Sequence, residues 1–167
     1  MIPERARLAA LFEGAPRFLD RLEATAPFAD DEALFATARA IAHAMPEDEQ
    51  VELIDAHPRL GAPPASVSAL SYVEQGYDRD ATDVAAADVE NRRARLAEEL
   101  DRGNAAYEAR FGFRYCVFVA GRPREALLPG MDAALGEDRR DELHRALDAV
   151  VDIAIDRHAK LSTEAPP

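Results

Sequence analysis

Cysteine is almost missing from this chain of 167 residues, and tryptophan is missing altogether. With Cys116 the single cysteine, no intrachain disulfide can form, which excludes the stapled framework of a small secreted domain. Cys116 lies in the apolar run Tyr115-Cys116-Val117-Phe118-Val119, where a buried, inert thiol is expected rather than a nucleophile, which needs an electropositive setting. Positive charge is also scarce: 20 Lys and Arg stand against 32 Asp and Glu, a formal net charge of −12. Nucleic-acid binding, which draws on clustered Lys and Arg to displace counterions, is therefore not expected. No run approaches the roughly 18 apolar residues of a membrane-spanning helix, so no membrane partner is expected either. The start, Met1-Ile2-Pro3-Glu4-Arg5, does not open a basic-then-apolar leader, and the expected location is the cytoplasm. His43, His57, His144 and His158 include no pair three or four apart, so a histidine-rich metal site is not expected.

What the chain has is short apolar stripes at helical spacing, divided by glycine and proline. One all-α domain over residues 1–161 is the simplest reading, with residues 162–167 a disordered tail. Pro3 suits the first turn of a helix that stops at Gly14, and Pro16 restarts the chain with Phe18, Leu19 and Leu22 inward. Asp30 is a good N-cap for a third helix, with Leu34, Ala38, Ile41 and Met45 on its inner face. Pro46 opens a fourth helix, with Val51, Leu53 and Ile54 inward, which Pro58 ends. Turn residues fill 61–69, and a long helix is expected from about 80 to 110, with Val89, Leu96, Leu100, Asn104, Tyr107 and Phe111 on one stripe and Gly112 as its C-cap. Residues 113–120 make one short extended segment, too isolated to imply a sheet. A helix from Gly121-Arg122-Pro123 to Leu135 and a last helix over about 138–161, with Leu143, Leu147, Val150 and Ala154 inward, complete the chain.

The chain is organised around the stretch from Ile54 to Gln75, where a helix ends at His57-Pro58 and a proline-rich turn leads to Ser71-Tyr72-Val73-Glu74-Gln75. His57 either interacts with the last carbonyls of its helix or serves as a general acid or base, with Pro58 restricting the backbone beside the ring. Ser71-x-x-Glu74 fits a capping box first, but the Gly76 that follows would leave a very short helix, and Ser71 could cap while Glu74 points at a ligand. Arg157 falls on the inner stripe of the last helix. Its charge must then be paired, snorkel to solvent, or clamp a small acidic or amide-rich ligand.

Taken together, His57-Pro58-Arg59-Leu60-Gly61, Ser71-x-x-Glu74-Gln75, Asn104-Ala-Ala-Tyr107-x-x-Arg110-Phe111-Gly112-Phe113 and the run to Ala120-Gly121-Arg122 resemble the OHCU decarboxylase family. OHCU is 2-oxo-4-hydroxy-4-carboxy-5-ureidoimidazoline, a late intermediate of urate breakdown. The resemblance implies an all-helical fold, often a homodimer, that converts this small molecule to (S)-allantoin and CO2 with no metal or organic cofactor. It places His57 and Glu74 in the catalytic pair and Ser71 and Gln75 against substrate, with Pro58, Val117 and Val119 lining the site. Arg157 matches an arginine of the final helix that binds the polar end of the substrate, with Arg139 and Arg140 as alternatives in the same helix. Two departures stand out: Arg59-Leu60-Gly61 where the family often has Asp-Leu-Ala, and a somewhat longer stretch from Gly76 to about Leu100.

Overall fold

Four short helices open the chain, each bounded by the glycines and prolines that divide its apolar stripes: α1 (Arg5–Leu11), α2 (Pro16–Ala24), α3 (Asp31–Ala44) and α4 (Glu47–Asp55). The structure is a computed structural model, and it describes residues 1, 3–80 and 87–164. Pro3 stands just before α1, whose N-cap is Glu4, while Pro16 takes the first position of α2. Asp30 caps α3 as expected, its carboxylate accepting from the Ala33 N–H at 2.8 Å. Leu34, Ala38 and Met45 are buried, but Ile41 is only half-buried, and Phe35 and Ala42 join the inner face instead. The apolar side of α3 is wide enough for the helix to rotate by part of a residue, which brings the small Ala42 inward.

The later helices are α5 (Ala69–Glu74), α6 (Tyr77–Asp80), α7 (Ala87–Phe111), α8 (Leu128–Ala134) and α9 (Arg139–Glu164), with 3₁₀ turns at Pro64–Ser66 and Arg124–Leu127. The long helix expected from about residue 80 is α7, described from Ala87. Residues 81–86 and the side chain of Val89 lie outside the described residues. Gly112 ends α7 with a φ of 80° and donates its N–H to the Glu108 carbonyl. The single helix expected up to Leu135 is instead a 3₁₀ turn followed by α8. Pro129, in the first turn of α8, has no N–H to bond backwards, so the preceding turn tightens. Residues 114–119 carry no regular secondary structure. The last helix continues through Glu164, so 162–164 are helical, and 165–167 lie outside the described residues. The fold is all-α, and no helix among the described residues is long and apolar enough to cross a membrane.

The chain groups into two compact units. The first comprises Met1–His57, Cys116–Phe118 and Arg140–Pro167; the second comprises Pro58–Tyr115 and Val119–Arg139. In the first, Phe12 packs on Phe18 with ring centroids 4.8 Å apart, and Leu147, Val150, Val151 and Ala154 of α9 are buried. Arg39 of α3 spans Asp148 and Asp152 of α9, at 2.6 Å each. In the second unit Tyr107 is the hub, within 4.6 Å of the Phe111 ring and 5.0 Å of the Tyr115 ring. Gly103 of α7 leaves room for Met131 of α8, whose sulfur would lie 2.3 Å from a Cβ at that position.

Candidate active site

In the first unit, α4 stops at Asp55 because the residues before Pro58 leave the helical path, and His57 folds back on the helix it follows. Its Nδ1 lies 3.2 Å from the Leu53 carbonyl, and the residue is 4% exposed. A carbonyl can only accept, so Nδ1 carries a proton and a neutral ring holds its lone pair on Nε2. Burial, followed by the positive charge of Arg157, lowers the pKa of His57 to about 4, against an opposing pull from Glu13. At neutral pH the imidazole is therefore uncharged, with its lone pair on Nε2.

Arg157 does not snorkel to solvent. It is 1% exposed, its Nη2 donates to Glu13 Oε1 at 2.8 Å, and its Nη1 donates to the carbonyls of Ala10 and Leu11 at 3.0 and 3.3 Å. Snorkelling fails because the end of α1 and Glu13 offer the guanidinium acceptors inside, where a lone charge would be costly. Val117, half-buried, belongs to this unit as well. The structure thus brings His57 and Arg157 into one electrostatic neighbourhood and adds Glu13, which sequence reasoning did not single out. An acidic residue where an apolar stripe stops is ordinary at the sequence level, and only the fold sets it against Arg157.

The second unit holds Pro58, Ser71, Glu74, Gln75 and Val119. Here the capping-box reading is corrected. The N-cap of α5 is Ser68, whose hydroxyl accepts from the Ser71 N–H at 3.2 Å, so Ser71 lies inside the first turn and is 2% exposed. Glu74 is the last residue of α5, half-buried, too far along the helix to serve as the acid of a box. The turn through Pro64–Ser66 delivers the chain at Ser68, three residues earlier than the sequence pattern suggested.

Gln75, 7% exposed, holds the turn that follows His57-Pro58. Its Oε1 accepts from the Gly61 N–H at 2.7 Å, and its Nε2 donates to the Arg59 carbonyl at 3.2 Å. Asn104, expected on the inner stripe of α7, braces the same turn by donating to the carbonyls of Leu60 and Leu100 at 2.8 Å each. Arg59 is engaged by Glu108, with Nε to Oε1 at 2.7 Å. Arg124 donates to the Gln75 carbonyl at 2.9 Å and lies 4.2 Å from the centroid of the Tyr77 ring. Pro58 is half-buried and Val119 is 8% exposed. Arg139 and Arg140 are exposed, and Arg139 donates to the Phe111 carbonyl at 2.9 Å. Of the three arginines weighed in the last helix, Arg157 alone is buried. Among the described residues no group of three or more His, Cys, Asp or Glu side chains is placed to hold a metal ion.

A second acid–base pair also escaped sequence reasoning. Glu142, 3% exposed, accepts from Arg145 Nε, and Arg145 Nη1 donates to the Cys116 carbonyl at 2.9 Å. The i, i+3 spacing of the two residues was the available signal.

Comparison with known proteins bears on this arrangement. The model of the family described as OHCU decarboxylase matches residues 4–159. The 2-oxo-4-hydroxy-4-carboxy-5-ureidoimidazoline decarboxylase of Haloferax volcanii is 30% identical over 145 residues, covering 86% of this chain and 80% of that protein. The uric acid degradation bifunctional protein PucL of Bacillus subtilis is 29% identical over 157 residues, and there the match spans only 30% of the relative's length. A crystal structure of an OHCU decarboxylase in the presence of (S)-allantoin superposes with a TM-score of 0.71 at 21% identity, covering 97% of this chain and 100% of that one. A structure of an (S)-allantoin synthase gives 0.59 at 19% identity, covering 92% of this chain and 47% of that one. At those identities the solved structures speak for the fold.

Proposed function

We infer the activity from one premise: the chain belongs to the OHCU decarboxylase family. It is a carboxy-lyase of uric acid degradation, acting on OHCU to release CO2 and form (S)-allantoin. The observation that carries the chemistry furthest is the buried His57, neutral at working pH and sharing its surroundings with Arg157.

Loss of CO2 leaves an electron pair beside a ring carbonyl, which can delocalise it as an enolate. The protein has to hold the ring, accept charge on that oxygen and deliver a proton to one face of the carbanion. In this reading Nε2 of His57 takes the proton of the substrate hydroxyl or carboxyl group, and Glu74 positions and assists the reprotonation. Ser71, Gln75 and Arg157 fix the ring and ureido groups, and Pro58, Val117 and Val119 supply lining. Orientation of this kind removes much of a barrier, because the reacting groups no longer have to find one another. The reading also includes a homodimer, testable by light scattering on the purified protein, and a cytoplasmic location consistent with a single cysteine.

The deciding experiment supplies freshly generated OHCU and follows optical activity. Spontaneous decay yields racemic allantoin, so one enantiomer formed faster than background supports the reading, and a racemate at the background rate overturns it. His57→Ala and Glu74→Ala proteins that keep their helical content should each lose ~10²-fold or more in turnover, the usual size of general acid–base effects. Near-parental turnover in a folded His57→Ala protein would remove the imidazole from the mechanism.

A further inference from the structure

The end of α1 accounts for its own carbonyls in an unusual way. A helix leaves its last four C=O groups without intrahelical partners. Here Leu8 O accepts from the Phe12 N–H and Ala9 O from the Gly14 N–H, while Ala10 O and Leu11 O accept from Arg157, which lies 147 and 146 residues further along. Glu13 follows immediately with a φ of 52°, a backbone conformation that residues with a Cβ rarely adopt, and Gly14 continues it at 77°. A glycine would take that position without strain, yet the chain places a glutamate there, and its carboxylate meets the same guanidinium at 2.8 Å. The cage is thus made of a helix C-terminus, which carries partial negative charge, and a full negative charge aimed by a strained turn. Backbone strain of this kind persists where the surroundings over-determine it, and it gathers at functional positions.

We propose that Glu13 is a positioning residue for the reaction: it and the two open carbonyls of α1 hold the Arg157 guanidinium in the orientation with which it grips the polar end of the substrate. This rests on the assignment of Arg157 to substrate binding made above. Glu13 touches Arg157, not substrate, and acts through it. A planar, fork-shaped donor gains specificity only when its plane is fixed, and two carbonyls with one carboxylate oxygen fix it. His57 feels both charges, so the cage also holds constant the electrostatic surroundings of the imidazole.

The test uses the full chain with freshly generated OHCU and separates KM from kcat. Glu13→Gln keeps the shape and one acceptor but removes the charge. It should raise KM roughly ten-fold or more, the size of a weakened hydrogen bond to a charged group, while kcat stays close to the parent's. Arg157→Lys should raise KM in the same way, and the two changes together should do little more than either alone, because they break one contact. A KM rise in Arg157→Lys with none in Glu13→Gln overturns the proposal and leaves Arg157 as a substrate ligand. An unchanged KM in Arg157→Lys overturns that assignment, and the proposal with it. A Glu13→Gln protein whose only defect is a smaller folded fraction, seen by thermal melting and by parental KM in what remains folded, shows that the cage merely caps α1 and also overturns the proposal.

Discussion

His57 combines two properties that pull against each other: it is buried, and it can ionise. Its pKa of about 4 lies below the ordinary 6.5, chiefly because burial disfavours the charged ring and then because Arg157 repels it. Between those two values the unfolded chain binds a proton that the folded protein refuses, so stability falls as pH drops from about 6.5 towards about 4, and above 6.5 the group contributes nothing. Melting temperature measured across that window should decline for the parent and decline less steeply for His57→Gln. Identical slopes in the two proteins would mean that the imidazole does not resist protonation in the fold. Arg157 is the opposite case, a permanent charge made tolerable by the Glu13 carboxylate and the carbonyls of Ala10 and Leu11. Removing Glu13 altogether, as Glu13→Ala, would expose that dependence and should destabilise more than Glu13→Gln does.

Among the elements, the turn from Pro58 to Ser68 and the short α5 behind it carry Pro58 and Ser71, two of the residues proposed to meet substrate, and lead to Gln75. Gly61 has a φ of 80°, and a Cβ added there would lie 2.8 Å from Leu100 Cδ1 and 3.2 Å from Leu100 Cβ. Gly61→Ala therefore meets both backbone strain and overpacking, and should cost about 2 kcal/mol or more of unfolding free energy in a denaturant titration. The same substitution should raise KM, since it displaces the N–H that holds Gln75. At the start of α5 the two serines are placed differently: Ser68 caps the helix, and Ser71 is buried in its first turn. Ser68→Ala loses the cap and should cost about 1 kcal/mol. Ser71→Ala leaves the cap in place and should act on substrate affinity instead. Equal stability losses with unchanged KM in both variants would return Ser71 to a purely structural role.

For the molecule as a whole, acidity is the dominant fact. With a net charge of −12, many carboxylates are held by arginines at the surface: Asp48 by Arg17, Glu49 by Arg21, and Asp148 by His43 and Arg39. Hydrogen bonds from these partners lower the pKa of Asp48 and Glu49; for Asp148, burial pushes the other way and is outweighed by His43 and Arg39. Groups lowered in this way contribute stability above the ordinary carboxylate range and lose it as pH falls below about 4. Acid unfolding should then show two stages: a gradual loss from about 6.5 due to His57, and a steeper one below about 4 due to the carboxylates. High salt should blunt the second stage more than the first, because surface pairs are screened and a buried ring is not. A single steep transition with no earlier slope would contradict this division.

Much of this protein was legible in the order of its residues. Apolar spacing, with Asp30, Pro16, Pro46, Pro58 and Gly112 as punctuation, determined an all-α chain and most helix ends, because caps and breakers act over a few residues. The same spacing determined that Arg157 points inward, and the grouping of His57-Pro58, Ser71-x-x-Glu74-Gln75 and the later motifs was enough to suggest the family. Only the tertiary structure decided what those side chains meet. Whether Ser68 or Ser71 caps α5 depended on where the preceding turn set the chain down. The partner of Arg157 lies 144 residues away in Glu13, and no local pattern marks it. The low pKa of His57 is likewise a property of burial and of charges brought close by folding, since a pKa shift records surroundings rather than sequence neighbours.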